Sequence, residues 1–352
     1  MTLDLLSHLK QMLSAPGLSA YEDPIRDIIA EAWRPLTDEL SVSRVGSLHA
    51  LKRGDGADPR PKVLLSAHMD AIGLMVTAIT EGFLHVTQVG GVDARILPGQ
   101  LVTVHGRKDL PGIVVMPPEF LLPPEVEKGS VPLQYLLVDV GLRHAEVEEL
   151  VRVGDVVSFA QPPLELTGGA VAGHTLDNRA SVAAVTYCLE LLQRRKHAWD
   201  VWAVASVQEE IGLTGAYTSP FAIQPDFAIA LDVTFAKGPG STDWRTVPLG
   251  KGIALAWGPN IHPALYDALT KIADELDIPY SPEPAPSMTG TDAAAIQIVR
   301  AGIPCVLVST PLRYMHTPVE TVVLKDIQRA GRLIAEFISA LPVDFMQTLE
   351  WK

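Results

Sequence analysis

Two kinds of hydrophobic pattern alternate along the chain. Short unbroken apolar runs recur at KVLLSA (62–67), VWAVASV (201–207), FAIALDV (227–233) and PCVLVST (304–310). Runs of this length predict strands buried on both faces. Around them, apolar residues recur at helical spacing. Leu5, Leu6, Leu9 and Leu13 mark a first helix. Ile25, Ile28, Ile29, Ala32 and Trp33 mark a second, after the turn-rich break PGLSAYEDP. Further helices are predicted over 178–195, 263–276, 291–301 and 325–341, with Pro263 suited to a first helical position. Strands alternating with helices predict an α/β fold with a central, mostly parallel sheet.

Between residues 73 and 165 the pattern changes. LMVTAIT, FLHVTQV, LVTVH, GIVVM, YLLVDV and DVVSF are short β-type runs separated by Gly/Pro-rich turns such as GGVDARILPGQ and MPPEFLLPPE. Closely spaced short strands predict a small barrel or sandwich. The expected organisation is a main α/β domain over 1–72 and 166–352, with a β domain inserted over 73–165. SPEPAPSMTG (281–290) reads as a loop.

Composition narrows the partners. The chain has 352 residues, 47% hydrophobic and 20% charged, enough for a sizeable core, and its net charge of -13 gives no general attraction to nucleic acid or anionic membrane. No apolar stretch is long enough to span a bilayer. The N-terminus has Asp4 early and lacks a basic segment, so it reads as a surface helix and not a signal peptide. Cys188 and Cys305 lie in apolar runs and read as buried hydrophobes. A reducing, cytoplasmic setting is expected.

The candidate chemistry sits where strands and helices begin or end. His68-Met69-Asp70 follows the first buried run, Glu209-Glu210 follows the second, Asp232 closes the third, Asp177 opens a helix, and His316 lies between a strand and a helix. Each has an ordinary alternative: a core histidine, a solvated loop, an N-cap. However, Asp70 can orient a ligating His68. Adjacent carboxylates at a buried strand end repel and need a cation or solvent. A lone buried Asp232 is costly without a partner. In open α/β sheets, sites gather at the carboxyl ends of strands. Imidazole and carboxylate without thiolate suit zinc, cobalt or manganese. One carboxylate more than a single tetrahedral ion needs suggests two ions.

The segments PGLSAYE, SAHMDAIGLMV, HTLDNRAS, QEEIGLTGA, ALDV, LGKGIALAWGPNIHP, GTDAAA and STPLRYMHTPVE run nearly the length of the chain. Together they resemble the tetrahedral aminopeptidase and glutamyl aminopeptidase family of dinuclear metallopeptidases, peptidase family M forty-two. The resemblance implies that His68 and Asp232 hold one divalent ion, Glu210 and His316 the other, and that Asp177 bridges them. It implies Glu209 as general base and Asp70 as support for His68. It further implies release of N-terminal amino acids from short peptides, dimerisation through the inserted domain, and a tetrahedral dodecamer. Ala20, Ala71 and His174 stand where members often carry Gly, an acidic residue, and Lys or Ser; the last two leave substrate preference and metal affinity open. Alternatives are a related metal-dependent deacylase, an aspartyl-type aminopeptidase, a glucanase and a non-catalytic scaffold. Related deacylases carry their extra domain later in the chain, and a glycosidase would use its carboxylates without metal.

Overall fold

The computed structural model describes residues 3–123, 126 and 131–351. The expected turn MPPEFLLPPE lies partly outside them. All four apolar runs are strands of one eight-stranded sheet. Across the sheet the order is Glu39–Val42, Leu48–Lys52, Asp200–Ser206, Lys62–His68, Phe227–Phe235, Cys305–Leu312, Ile253–Trp257 and Tyr280–Pro284. The four strands from Asp200–Ser206 to Cys305–Leu312 run parallel, and the antiparallel pairings lie outside them. Their central position explains the unbroken apolar runs, because both faces are covered. Helices Leu176–Leu192 and Leu324–Ala340 pack against each other and both against the sheet. The first is buried continuously from Leu176 to Thr186 and so has no polar stripe there.

The short runs between residues 73 and 165 close into a separate six-stranded barrel. Its strands include Gly73–Thr80, Phe83–Val89, Leu101–His105 and Val156–Phe159. Alternate residues such as Leu74, Val76, Leu84, Val102 and Val104 fill its own apolar core, distinct from the core around the sheet. Closure leaves the barrel no free sheet edge.

Two local expectations are corrected. Residues 281–290 are not all loop, because Tyr280–Pro284 is an edge strand parallel to Ile253–Trp257. Pro is tolerated where its missing N–H would face away from the sheet. Here the N–H of Ala285 bonds Trp257 O, placing the bonding side at odd numbers and Pro282 and Pro284 on the outer side. The helix expected over 291–301 spans only Asp292–Ile296. Arg300 takes a left-handed φ of 59°, and Ile303 N–H bonds back to Gln297 O, turning the chain toward the next strand.

Candidate active site

Parallel register brings distant residues to one sheet edge. Ser206 pairs with His68, and Asp232 pairs with Ser309 on the neighbouring parallel pair. Asp232 lies within its strand, which continues to Phe235, so it is not the strand's last residue. Glu209 and Glu210 open the short helix Glu209–Gly212 just beyond Ser206. Asp177 lies in the non-helical first turn before the long buried helix, and its peptide bond to Asn178 is cis. Asp177 does not cap that helix; its carboxylate lies between two imidazoles.

The separations are short. His68 Nε2 lies 3.2 Å from Asp177 Oδ1, 3.9 Å from Glu209 Oε2 and 3.9 Å from Asp232 Oδ1. His316 Nε2 lies 3.5 Å from Asp177 Oδ2 and 3.5 Å from Glu210 Oε2. Ligand atoms of His68, Asp177 and Glu210 all fall within 4.8 Å of one another, as do those of His68, Glu209 and Asp232. Glu209 is therefore within ligating reach. All six of these residues line one cavity of about 370 Å³.

Several buried groups hold this arrangement. Asp70 accepts the Glu209 N–H at 3.0 Å, the Glu210 N–H at 3.3 Å and the Ser19 hydroxyl at 2.6 Å, and stands 3.4 Å from His68 Nδ1. Glu22 accepts the Gln208 N–H at 3.2 Å and the Ala20 N–H at 2.8 Å. The backbone entering Glu209 is thus gripped by two carboxylates. Glu320 accepts the N–H groups of Asp177 and His316, each at 2.9 Å, and ties the two segments together. Asp292 accepts hydroxyls of Ser66 and Ser206 at 2.6 Å. Nothing in the sequence alone marks Glu22, Glu320 and Asp292. They lie inside PGLSAYE, STPLRYMHTPVE and GTDAAA, but no local pattern distinguishes a buried supporting carboxylate from an exposed one.

The electrostatics are those of crowded charge. Burial raises Glu209 to about 8, against the opposing pull of His68 and aided by Asp292 and Asp177. Burial, then Asp177, pushes Glu210 to about 10, and burial lifts Asp232 well above the ordinary carboxylate range. Burial alone would lower His68, but Glu209, Asp177, Asp70 and Asp232 outweigh it and hold the imidazole well above its usual value. Asp177 goes the other way: burial disfavours its charge, yet His316 and His68 keep it ionised. The donor set and its crowding fit divalent cations, which would supply the missing positive charge.

Two of the three positions singled out in the sequence fall elsewhere. Ala71 and His174 line a different cavity, of about 450 Å³, beside Arg179 and the barrel strands. Burial lowers His174 to about 3, and it packs edge-on against Phe159. Among the described residues it belongs to neither metal-ligand group.

The parallel sheet, the closed barrel and this cluster define a peptidase-type α/β architecture, and the comparisons identify which one. A model of the M42 glutamyl aminopeptidase family matches residues 46–333. The chain belongs to that family, a family of hydrolases with aminopeptidase activity. It is 37% identical to the lysyl aminopeptidase of Pyrococcus furiosus over 96% of this chain and 98% of the relative. The solved aminopeptidase of the archaeon Desulfurococcus kamchatkensis superposes with a TM-score of 0.91 at 34% identity, covering 98% of this chain and 97% of that one. The TET1 peptidase of Pyrococcus horikoshii, described as assembling into a tetrahedron or a large octahedral shell, gives 0.84 at 31% identity, covering 96% and 100%.

Proposed function

We propose that the chain is a dinuclear metalloaminopeptidase that removes residues from the free N-termini of short peptides. The convergence of two imidazoles and four carboxylates in one cavity carries this reading. His68 and Asp232 would hold one divalent ion, Glu210 and His316 the other, with Asp177 between them. Zinc or cobalt suits these donors best, and manganese is a further option. The ions, when bound, supply Lewis acidity that polarises the scissile carbonyl and acidifies water. Glu209 takes the proton from the attacking water at its carboxylate and returns it to the leaving amine. Asp70 orients His68 and fixes the backbone of Glu209 and Glu210.

The barrel region, residues 73–165, is proposed as an inserted dimerisation domain. Leu101, Met116, Phe120 and Leu121 are large apolar residues exposed on it, as an interface would require. A tetrahedral dodecamer in the cytoplasm is the proposed working form, supported by the assembly described for the TET1 relative. Among the described residues, no helix is long and apolar enough to cross a membrane.

The test compares a short peptide with its N-acetylated form, each with and without a chelator. Cleavage of the free peptide alone, lost on chelation and restored by zinc or cobalt, is expected. Equal cleavage of the blocked peptide, or activity indifferent to chelation, would overturn the proposal.

A further inference from the structure

The names of relatives pull in opposite directions on specificity. One is a lysyl aminopeptidase, and a glutamyl aminopeptidase of Lactococcus lactis is 25% identical over 96% of this chain. A pocket for a lysine side chain needs a carboxylate to meet its ammonium. A pocket for glutamate needs a cation. Either charge would otherwise be desolvated without a partner, a severe penalty.

Beyond the cluster itself, the cavity is lined, among the described residues, by Leu213, Val233, Gly290, Thr291 and Met315. None of these is charged. Leu213 follows the Glu209–Gly212 helix and Met315 precedes His316, so two half-buried apolar residues flank the cluster from different segments, while Val233, next to Asp232 in its strand, turns its side chain to the opposite face. The one hydroxyl, that of Thr291, lies 3.0 Å from Thr289 Oγ1 and so has a local hydrogen-bond partner. The cluster offers no spare charge for a substrate side chain either. Asp177, Glu210 and Asp232 would be committed to the ions and Glu209 to proton transfer, so none is left to meet a substrate side chain.

We infer that this enzyme selects uncharged, apolar N-terminal residues of about leucine or methionine size, and discriminates against both lysine and glutamate. The inference rests on the aminopeptidase reading and deepens it. The apolar wall formed by Leu213 and Met315 receives the side chain of the first residue. Met315, unbranched and adaptable, gives that wall tolerance for different apolar shapes. Loss of methylene contacts makes alanine a poorer substrate, by the roughly 10–200-fold that a hydrophobic pocket gives per missing group.

The experiment measures kcat/KM on the metal-loaded enzyme with aminoacyl-nitroanilides of leucine, methionine, alanine, lysine and glutamate. It also measures competitive inhibition by the corresponding free amino acids, which reads binding without turnover. Leucine and methionine should exceed lysine and glutamate by roughly tenfold or more in both readouts. Met315→Ala should lower the leucine-to-alanine ratio several-fold, a ratio unaffected by any general loss of activity. Lysine or glutamate matching or exceeding leucine would overturn the inference while leaving the aminopeptidase reading intact. An unchanged ratio in the variant would remove Met315 from the wall and overturn the inference as drawn. Failure to cleave any free aminoacyl substrate would overturn the aminopeptidase reading and the inference with it.

Discussion

Ala20 has a φ of 70°, in the left-handed region, within the loop whose Ser19 and Glu22 reach the buried carboxylate network. An alanine here carries a physical cost, because a Cβ is strained in that conformation. Ala20→Gly should stabilise the protein by about 0.5–1 kcal/mol, the strain relief outweighing the added freedom of the unfolded chain. Urea unfolding of the metal-loaded protein checks this, and no gain would contradict it. Thr175, Gln208, Leu213 and His316 also have positive φ, so the segments carrying Asp177, Glu209, Glu210 and His316 are all held in sparsely populated conformations. The proposed ligands were legible in the sequence because His, Asp and Glu beside apolar runs are costly without a purpose. Glu320 and Asp292 were not, because their burial comes from segments far away in sequence. Glu209 and Glu210 are neighbours with different proposed tasks. Glu209→Gln should keep most of the metal and lose roughly two to four orders of magnitude in kcat, the usual worth of a general base. Glu210→Gln should lower metal occupancy first. Elemental analysis beside steady-state kinetics separates the two, and wild-type turnover in Glu209→Gln would place the base elsewhere.

The strands that carry the site were readable as elements because parallel central strands are apolar on both faces. The Tyr280–Pro284 edge strand was not, since its prolines mimic a loop until the sheet shows which side bonds. The β runs between residues 73 and 165 were readable, but their relation to the site was not. Gly90 and Gly91, just beyond the barrel strand Phe83–Val89, lie against the cluster. A Cβ on Gly91 would stand 2.8 Å from His316 Nδ1, and one on Gly90 would stand 3.3 Å from Glu210 Cβ. The segment leaving the barrel therefore packs behind the cluster, and at Gly91 the close approach of His316 favours glycine. Gly91→Ala should displace the His316 ring and weaken metal retention by roughly tenfold or more, the scale seen when support of a ligand is lost. Chelator competition, with circular dichroism to verify the fold, reads this out. Unaltered metal retention would contradict the proposed contact.

At the scale of the whole molecule, the cluster links folding, pH and metal. In the metal-free chain, burial holds Glu209 at about 8 and Glu210 at about 10, far above the usual 4.5. Over that range the folded chain binds protons that the unfolded chain has lost, so stability falls as pH rises through these values. His68, also raised, acts with the same sign. His8 and His174, lowered by burial to about 4 and about 3, act with the opposite sign, but only as pH falls below the usual 6.5. From about pH 7 to about pH 9 the melting temperature of chelated protein should therefore drop relative to the metal-loaded form, widening the gap between them. Parallel profiles would show that the buried carboxylates do not control stability there. The most direct test of the account is calorimetric titration of chelated protein with zinc or cobalt, with peptide hydrolysis assayed at each addition. The account predicts uptake of two ions per chain, with activity returning as they bind. Full activity before any metal is added, or no saturable uptake at all, would contradict it.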